Sequence, residues 1–237
     1  MFHGSGGGTV LLCEREMRST FPHLMNRLVT QLFALVGVIS LAHAQAPDPE
    51  VSATEKGIAI KGEAGSFLLV PAALRLTETN YEGEKPVLEL AGDNTLVAKF
   101  PSGAEIRLQA SPEDKAIEAS FSGVPAGAWA FVFQMQIPID FSRGGRFSLG
   151  TAPLQDFPAD YSKQLLEQKT AKQFTLVNPA GIGLTLAATQ NFMQVQDNRA
   201  FQWPVFMYIY TYVFSSNPGG SSFRIHVESL DSAATTH

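Results

Sequence analysis

The sequence has 237 residues and a formal net charge of −5, from 17 Lys and Arg against 22 Asp and Glu. Nucleic acid binds basic surfaces, so an acidic chain of this kind predicts no nucleic-acid partner. The only cysteine, Cys13, and three of the five histidines lie in the first 45 residues; we therefore predict no metal site and no cofactor.

The start of the chain contains a segment with the layout of a secretory signal peptide. Met25 is followed by one basic residue, an apolar stretch over 28–41 and the motif AHA. This stretch is shorter than the roughly twenty residues that a membrane-spanning helix needs. We predict that residues 1–24 are upstream sequence outside the working protein and that residues 25–44 are a signal peptide. The product should be secreted or periplasmic, with no membrane partner after cleavage.

After a predicted tether over 45–56, apolar and polar residues alternate with a period of two. Runs such as GIAIKG and SFLLVPAALRL are separated by turn motifs, and Gly92-Asp93-Asn94 predicts a hairpin. Regular turns between short strands are typical of sandwiches and barrels. We predict a single all-β domain over 57–230. It should be an antiparallel, jelly-roll-like β-sandwich of two sheets, with about a dozen strands and at most one short helix.

The middle of the chain is less regular. The run AWAFVFQMQIPI, residues 128–139, alternates and predicts a strand with one face in the core. Residues 140–161 are rich in Gly and Pro and predict a long excursion over the surface. The segment YSKQLLEQKTAK, residues 161–172, has helical composition and predicts a short helix.

From Val205 the stretch VFMYIYTYVF places Tyr208, Tyr210 and Tyr212 on one face of a strand and aliphatic residues on the other. We expect the aliphatic face to pack against the opposite sheet. One interpretation puts the tyrosines on a half-exposed, concave surface. There their rings would lie against sugar rings, and their hydroxyls would remain hydrated. In the other interpretation they pack beneath the excursion over 140–173.

Polar residues near this strand complete the candidate carbohydrate-binding site. Asp197 and Asn198 could hydrogen-bond sugar hydroxyls, and Arg199 could pair with the carboxylate of an acidic sugar. An ordinary turn with a surface charge accounts for the same three residues. On the last strand, Arg224 and His226 share a polar face, where His226 is either a base near neutral pH or a solvated side chain.

The chain contains no sharp catalytic motif: no G-x-S-x-G, H-E-x-x-H, Walker loop or dinucleotide fingerprint. Whether the protein is an enzyme is therefore open. A lyase that acts on uronic acids would need a group to neutralise the carboxylate and a Tyr or His base. Asn198, Arg199, Tyr208, Tyr210 and His226 supply those residue types.

Residues 174–214 run in the order strand, Pro/Gly turn, strand, Asp-Asn-Arg turn, long aromatic strand. Over about residues 120–228, this layout resembles the β-sandwich modules found with secreted bacterial polysaccharide-degrading enzymes, particularly polysaccharide lyases. The resemblance implies a carbohydrate role and transfers no catalytic residue.

Three hypotheses follow from the sequence and this resemblance. The first is a secreted accessory module that binds a polysaccharide or oligosaccharide or helps to process it. The second is a small jelly-roll polysaccharide lyase acting on a uronic-acid polymer. The third is a secreted envelope or protein-interaction domain.

Overall fold

The computed structural model describes residues 48–230, so the predicted signal peptide and the sequence upstream of it lie outside the described residues. The described residues form one unit built from antiparallel strands, and the predicted all-β class is confirmed. The strands are β1 (Glu50–Thr54), β2 (Gly57–Gly62), β3 (Gly65–Arg75), β4 (Val87–Leu90), β5 (Thr95–Lys99), β6 (Glu105–Ser111), β7 (Ala116–Ser122), β8 (Ala130–Pro138), β9 (Arg146–Leu149), β10 (Gln155–Asp156), β11 (Leu165–Val177), β12 (Gly183–Asp197), β13 (Val205–Val213) and β14 (Ser222–Leu230).

Helical structure is scarce within residues 48–230. The one α-helix there, α1 (Ile139–Ser142), has four residues, and 3-10 turns cover Arg199–Phe201 and Phe214–Ser216. No helix in this range is long and apolar enough to cross a membrane.

The predicted hairpin forms between β4 and β5. Leu90 pairs with Leu96 next to the turn, and the pairing continues to Val87 and Lys99. Gly92, Asp93 and Asn94 all adopt positive φ, at 74°, 43° and 56°. Glycine, Asp and Asn are the residues that enter this region at least cost, which is why the local sequence predicts the turn correctly.

The strands form one hydrogen-bonded sheet that forks at β12. One branch continues through β13, β8, β3, β2 and β1, and the other through β14, β7, β6, β5 and β4. Strand β12 pairs with β14 over residues 183–188 and with β13 over 192–197, while β11 follows its other edge. The long strands β11 and β12 join the two branches at the fork. Near the far ends of the branches, β1 packs against β5 and β6. The sheet is therefore nearly closed like a barrel, and the predicted division into two sheets is not confirmed.

Aromatic rings from both branches fill the space between them. Phe223 of β14 stacks on Tyr212 of β13, with ring centroids 4.9 Å apart, and meets the edge of Phe133 of β8 at 5.4 Å. Phe174 of β11 stacks on Tyr208 at 4.1 Å. Offset stacks and edge contacts are the favoured geometries of aromatic pairs, so these rings bind the branches together.

Buried Asn191 closes the fork where β13 and β14 diverge. Its Nδ2 donates to the Tyr210 hydroxyl at 3.2 Å, and its Oδ1 accepts from the Val213 backbone N–H at 3.1 Å and from Asn217 Nδ2 at 3.0 Å. The Tyr210 hydroxyl donates in turn to the Thr189 carbonyl at 3.2 Å. Side chains thus satisfy backbone groups that a continuous ladder would otherwise pair.

Two predictions for the middle of the chain are wrong, and one boundary moves. The segment predicted as a helix, 161–172, mostly belongs to β11, which pairs with β12 on one edge and β9 on the other. Strand β9 lies inside the predicted surface excursion, with Phe147 and Leu149 buried in the core. The sheet begins at β1, inside the predicted tether, because Val51 is buried against the core.

Replacing Tyr210 with Phe should lower the free energy of unfolding by about 1–3 kcal/mol, because the Asn191 amide and the Thr189 carbonyl lose a buried partner. Urea denaturation measures this change. The control Tyr81→Phe alters an exposed ring and should shift the value by less than about 0.5 kcal/mol. Unchanged stability of Tyr210→Phe would show that the hydroxyl does not hold the fork.

Candidate functional site

The three tyrosines of β13 face the core. Tyr208, Tyr210 and Tyr212 expose 2%, 1% and 1% of their surface, and the rings that cover them come from β8, β11 and β14. The expectation that this face is half-exposed and concave is therefore wrong. The expectation that the aliphatic face turns toward the main core is wrong for the same reason.

Burial also opposes ionisation of these hydroxyls. It raises the pKa of Tyr208 well above the ordinary tyrosine value, and it raises the pKa of Tyr210 and of Tyr212 as well. The hydroxyls stay protonated at neutral pH, and solvent does not reach the rings. Tyr208 and Tyr210 are thus unsuited to the part of a base that the lyase hypothesis gives them.

Asp197 and Arg199 form a clamp at the end of β12. Arg199 donates to the fully buried Asp197 carboxylate from Nε at 2.9 Å and from Nη2 at 2.6 Å. It also donates to the carbonyls of Pro158 and Ala159, at 2.9 and 2.5 Å. The hydrogen bond to Asp197 raises the pKa of Arg199. All three guanidinium nitrogens bond protein oxygens, so pairing of Arg199 with an acidic sugar would have to compete with these bonds.

The outer face of the first branch, turned away from the core, forms a trough. Side chains of β3, β8, β13, β12 and β11 meet there in rows across the strands. One row pairs Val70, Gln134, Ile209, Gln194 and Gln168 in that order. Gln194 Nε2 donates to Gln168 Oε1 at 3.2 Å, so the row ends in linked amides.

The floor of the trough is apolar. Met207, Ile209, Val132 and Ala73 form a small cluster that is separate from the main core, and each exposes 8% of its surface or less. Met207 and Ile209 belong to the aliphatic face of β13. This face is buried beneath neighbouring side chains of the trough and not between the branches.

Two hollows lie along the trough and share Gln196. The first has a volume of about 610 Å³ and the second about 510 Å³. Residues of the first include Arg75, Glu78, Tyr81, Trp129, Gln168 and Gln194. Residues of the second include Lys85, Gln134, Gln164, Asn198, Phe201 and Trp203.

Arg75 builds the wall of the first hollow. Its guanidinium carbon lies 4.1 Å from the centroid of the Trp129 ring and 4.7 Å from that of Tyr81. Its Nε donates to the Asn80 carbonyl at 2.9 Å, and Nη2 bonds the carbonyl of Glu78. Burial lowers its pKa. These contacts hold the loop over 76–86 in place, and Tyr81 projects from it with 83% of its surface exposed.

The remaining predicted site residues divide between the trough and the other branch. Asn198 lines the second hollow, whereas Arg224 and His226 line neither hollow. Arg224 lies on β14. It pairs with Asp114, in the turn between β6 and β7, at 3.1 Å and with Glu118 of β7 at 2.9 Å. Within residues 48–230, no three His, Asp or Glu side chains are grouped so as to hold a metal ion.

Sequence reasoning missed most of the trough. The available signal was the spacing of glutamine: Gln134 and Gln136 alternate with core residues of β8, as Gln194 and Gln196 do on β12. Amides at every second position on neighbouring strands place several hydrogen-bonding groups on one face. The exposed Trp203, in the turn before β13, gave a second signal.

Comparison with known proteins gives a weak structural similarity only. No family model matches the chain, and no curated protein matches it. Among solved structures, a GH31 family sulfoquinovosidase from E. rectale, in complex with an aza-sugar inhibitor, is similar at a TM-score of 0.39 and 10% identity over 77% of this chain. The family GH92 inverting mannosidase from Bacteroides thetaiotaomicron is similar at a TM-score of 0.37 and 10% identity over 73%.

This chain spans 32% of the first solved structure and 24% of the second. Both are glycoside hydrolases by name, and neither is a polysaccharide lyase. Similarity at this level carries no functional argument, so the trough must be judged from its own residues.

Removing Arg199 should cost about 3–5 kcal/mol of folding free energy, because the buried Asp197 carboxylate would lose its cation. Guanidinium or urea denaturation of Arg199→Ala tests this. Arg224→Ala is the matched control: its ion pairs are half-exposed, and about 0–1 kcal/mol is expected. Equal losses in the two variants would contradict the clamp.

The buried tyrosines should make the fold sensitive to alkali. Their folded-state pKa values lie above the unfolded value of about 10, so the unfolded chain releases protons that the folded state retains. The stabilisation is complete below about pH 10 and declines as pH rises further. We expect the Tm to fall above that pH and most phenolate absorbance to appear together with unfolding. Ionisation of all five tyrosines before unfolding would contradict the burial.

Proposed function

We propose that this domain is a secreted carbohydrate-binding accessory module that holds its glycan in the trough. One observation carries the proposal: exposed aromatic rings stand at both ends of an amide-lined groove. Tyr81 exposes 83% of its surface at one end, and Trp203 and Phe201 expose 57% and 54% at the other.

The chemistry of the trough suits a sugar. Aromatic rings offer flat apolar faces on which the C–H faces of a sugar ring can stack. Glutamine amides both donate and accept hydrogen bonds, as the hydroxyls of a sugar require. In the described part of the chain, the amides of Gln134, Gln164 and Gln196 bond no other protein side chain, so they are available to a ligand.

The predicted export of the chain is consistent with the same proposal. The signal-peptide layout over 25–44 would deliver the domain to the compartment where polysaccharides outside the cell are met. The acidic charge of the chain and the scarcity of cations in the trough also speak against a nucleic-acid ligand.

The two alternative hypotheses are less well supported. The lyase built from the candidate residues would need Tyr208, Tyr210 or His226 beside a free cation in the trough, and His226 lines neither hollow. Tyr208 and Tyr210 are buried, and Arg199 is engaged by Asp197. For the protein-interaction domain there is one favourable observation, since the edge strand β4 exposes Val87 and Leu90 at 65% and 49%.

Replacing Tyr81 or Trp203 with Ala should weaken retention by an immobilised polysaccharide about threefold to tenfold, because each change removes one stacking ring. Both rings are exposed, so the Tm should stay nearly constant. Tyr161→Ala is the matched control, since Tyr161 is exposed at 46% and lines neither hollow. Retention that survives both trough variants, or that drops equally in the control, would sink the proposal.

A further inference from the structure

We infer that the trough binds one extended, uncharged glycan chain that lies parallel to β13 and reaches both aromatic ends at once. This inference rests on the proposed function and deepens it. It names the class of ligand, a neutral polysaccharide, and the mode of binding, along the interior of a chain and not at its tip.

The direction follows from the positions of the hollows on β13. Val213 lines the first hollow and Met207 lines the second, six residues earlier on the same strand. At about 3.3 Å per residue, these two positions are roughly 20 Å apart. A single sugar ring cannot span that distance, whereas a short chain of rings can.

The two hollows adjoin each other at one shared residue. Gln196 lines both hollows. Gln194, two residues earlier on β12, lies on the same outer face and lines the first hollow. Beneath them the apolar floor of Met207 and Ile209 runs without a charged side chain. A chain entering beside Trp129 could therefore follow β13 to Trp203 while its hydroxyls meet amides along the way.

The charge of the trough favours a neutral ligand. Its charged lining residues are Arg75, Glu78 and Lys85. The Arg75 guanidinium contacts two rings and bonds backbone carbonyls through Nε and Nη2, so two of its three nitrogens are engaged by the loop. Glu78 and Lys85 are exposed, opposite in sign and placed in different hollows.

Between the two ends, the hydrogen-bonding groups are uncharged. A uronic-acid polymer repeats a carboxylate along its length, and each carboxylate needs water or a cation beside it. The row that contains Gln134 and Gln194 offers none. An acidic chain would therefore lose solvation in the middle of the trough without compensation.

Native affinity electrophoresis tests the ligand class with named polymers. We expect retardation of the full chain in gels that contain xyloglucan, glucomannan or arabinoxylan, and none in gels that contain polygalacturonate or alginate. Salt should change the retardation little, because no ion pair is formed. Retardation by a uronate polymer alone would overturn the neutral ligand and leave a carbohydrate function standing. No retardation by any of the five would overturn both.

Calorimetry with oligosaccharides cut from the retarding neutral polymer tests the spanning mode. One long oligosaccharide should bind per protein, and Tyr81→Ala and Trp203→Ala should each weaken it severalfold. A disaccharide should be affected by one of these variants at most. Two independent sites would instead give two long oligosaccharides per protein, with each variant abolishing one and leaving the affinity of the other unchanged. That result would overturn the single chain.

Discussion

Aromatic stacking in the interior of the sheet determines which face of β13 points inward. Phe223 on Tyr212, and Phe174 on Tyr208, bring β13 against β14 and β11 with its tyrosine face inward. Since the side chains of a strand alternate, this choice turns Met207 outward. The outer face of the branch becomes a surface with an apolar floor, and the long amides of neighbouring strands rise around it.

The fork at β12 leaves β11 and β12 to form the wall of the trough opposite Arg75. A strand that pairs with β14 over its first half and with β13 over its second half must separate the two branches, and Asn191 satisfies the backbone at that point. Strand β11 then extends beyond the first branch and adds Gln168 and Thr170 to the lining. The clamp of Asp197 and Arg199 fixes the far end of β12, next to the second hollow.

Local sequence patterns were enough to predict the all-β class of the fold. They failed where pairing with distant strands determines the structure of a segment. The turn at Gly92 and its neighbours could be read from residue types, because backbone preference alone selects it. The segment 161–172 has helical composition, yet its pairing with β12 makes most of it a strand. Alternation separated the two faces of β13 correctly. It could not tell which face was inward, because both are apolar and the choice depends on Phe174 and Phe223.

The same limit explains the candidate site. Of the residues that sequence reasoning singled out, Asn198 lies in the trough, whereas Asp197 and Arg199 bind each other. Their residue types suit a sugar as well as they suit a clamp, and only coordinates separate these roles. The glutamines were overlooked because a single Gln carries no signal; four of them in register across β8 and β12 do.

The two tryptophans of the chain, Trp129 and Trp203, stand at opposite ends of the trough. Their indole N–H resonances therefore report both ends in one NMR titration with an oligosaccharide of the neutral polymer that retards the protein. A glycan held along the outer face of β13 predicts that both resonances shift together and saturate at the same concentration. Binding that leaves both indole resonances unmoved would place the glycan elsewhere and contradict the trough as the site.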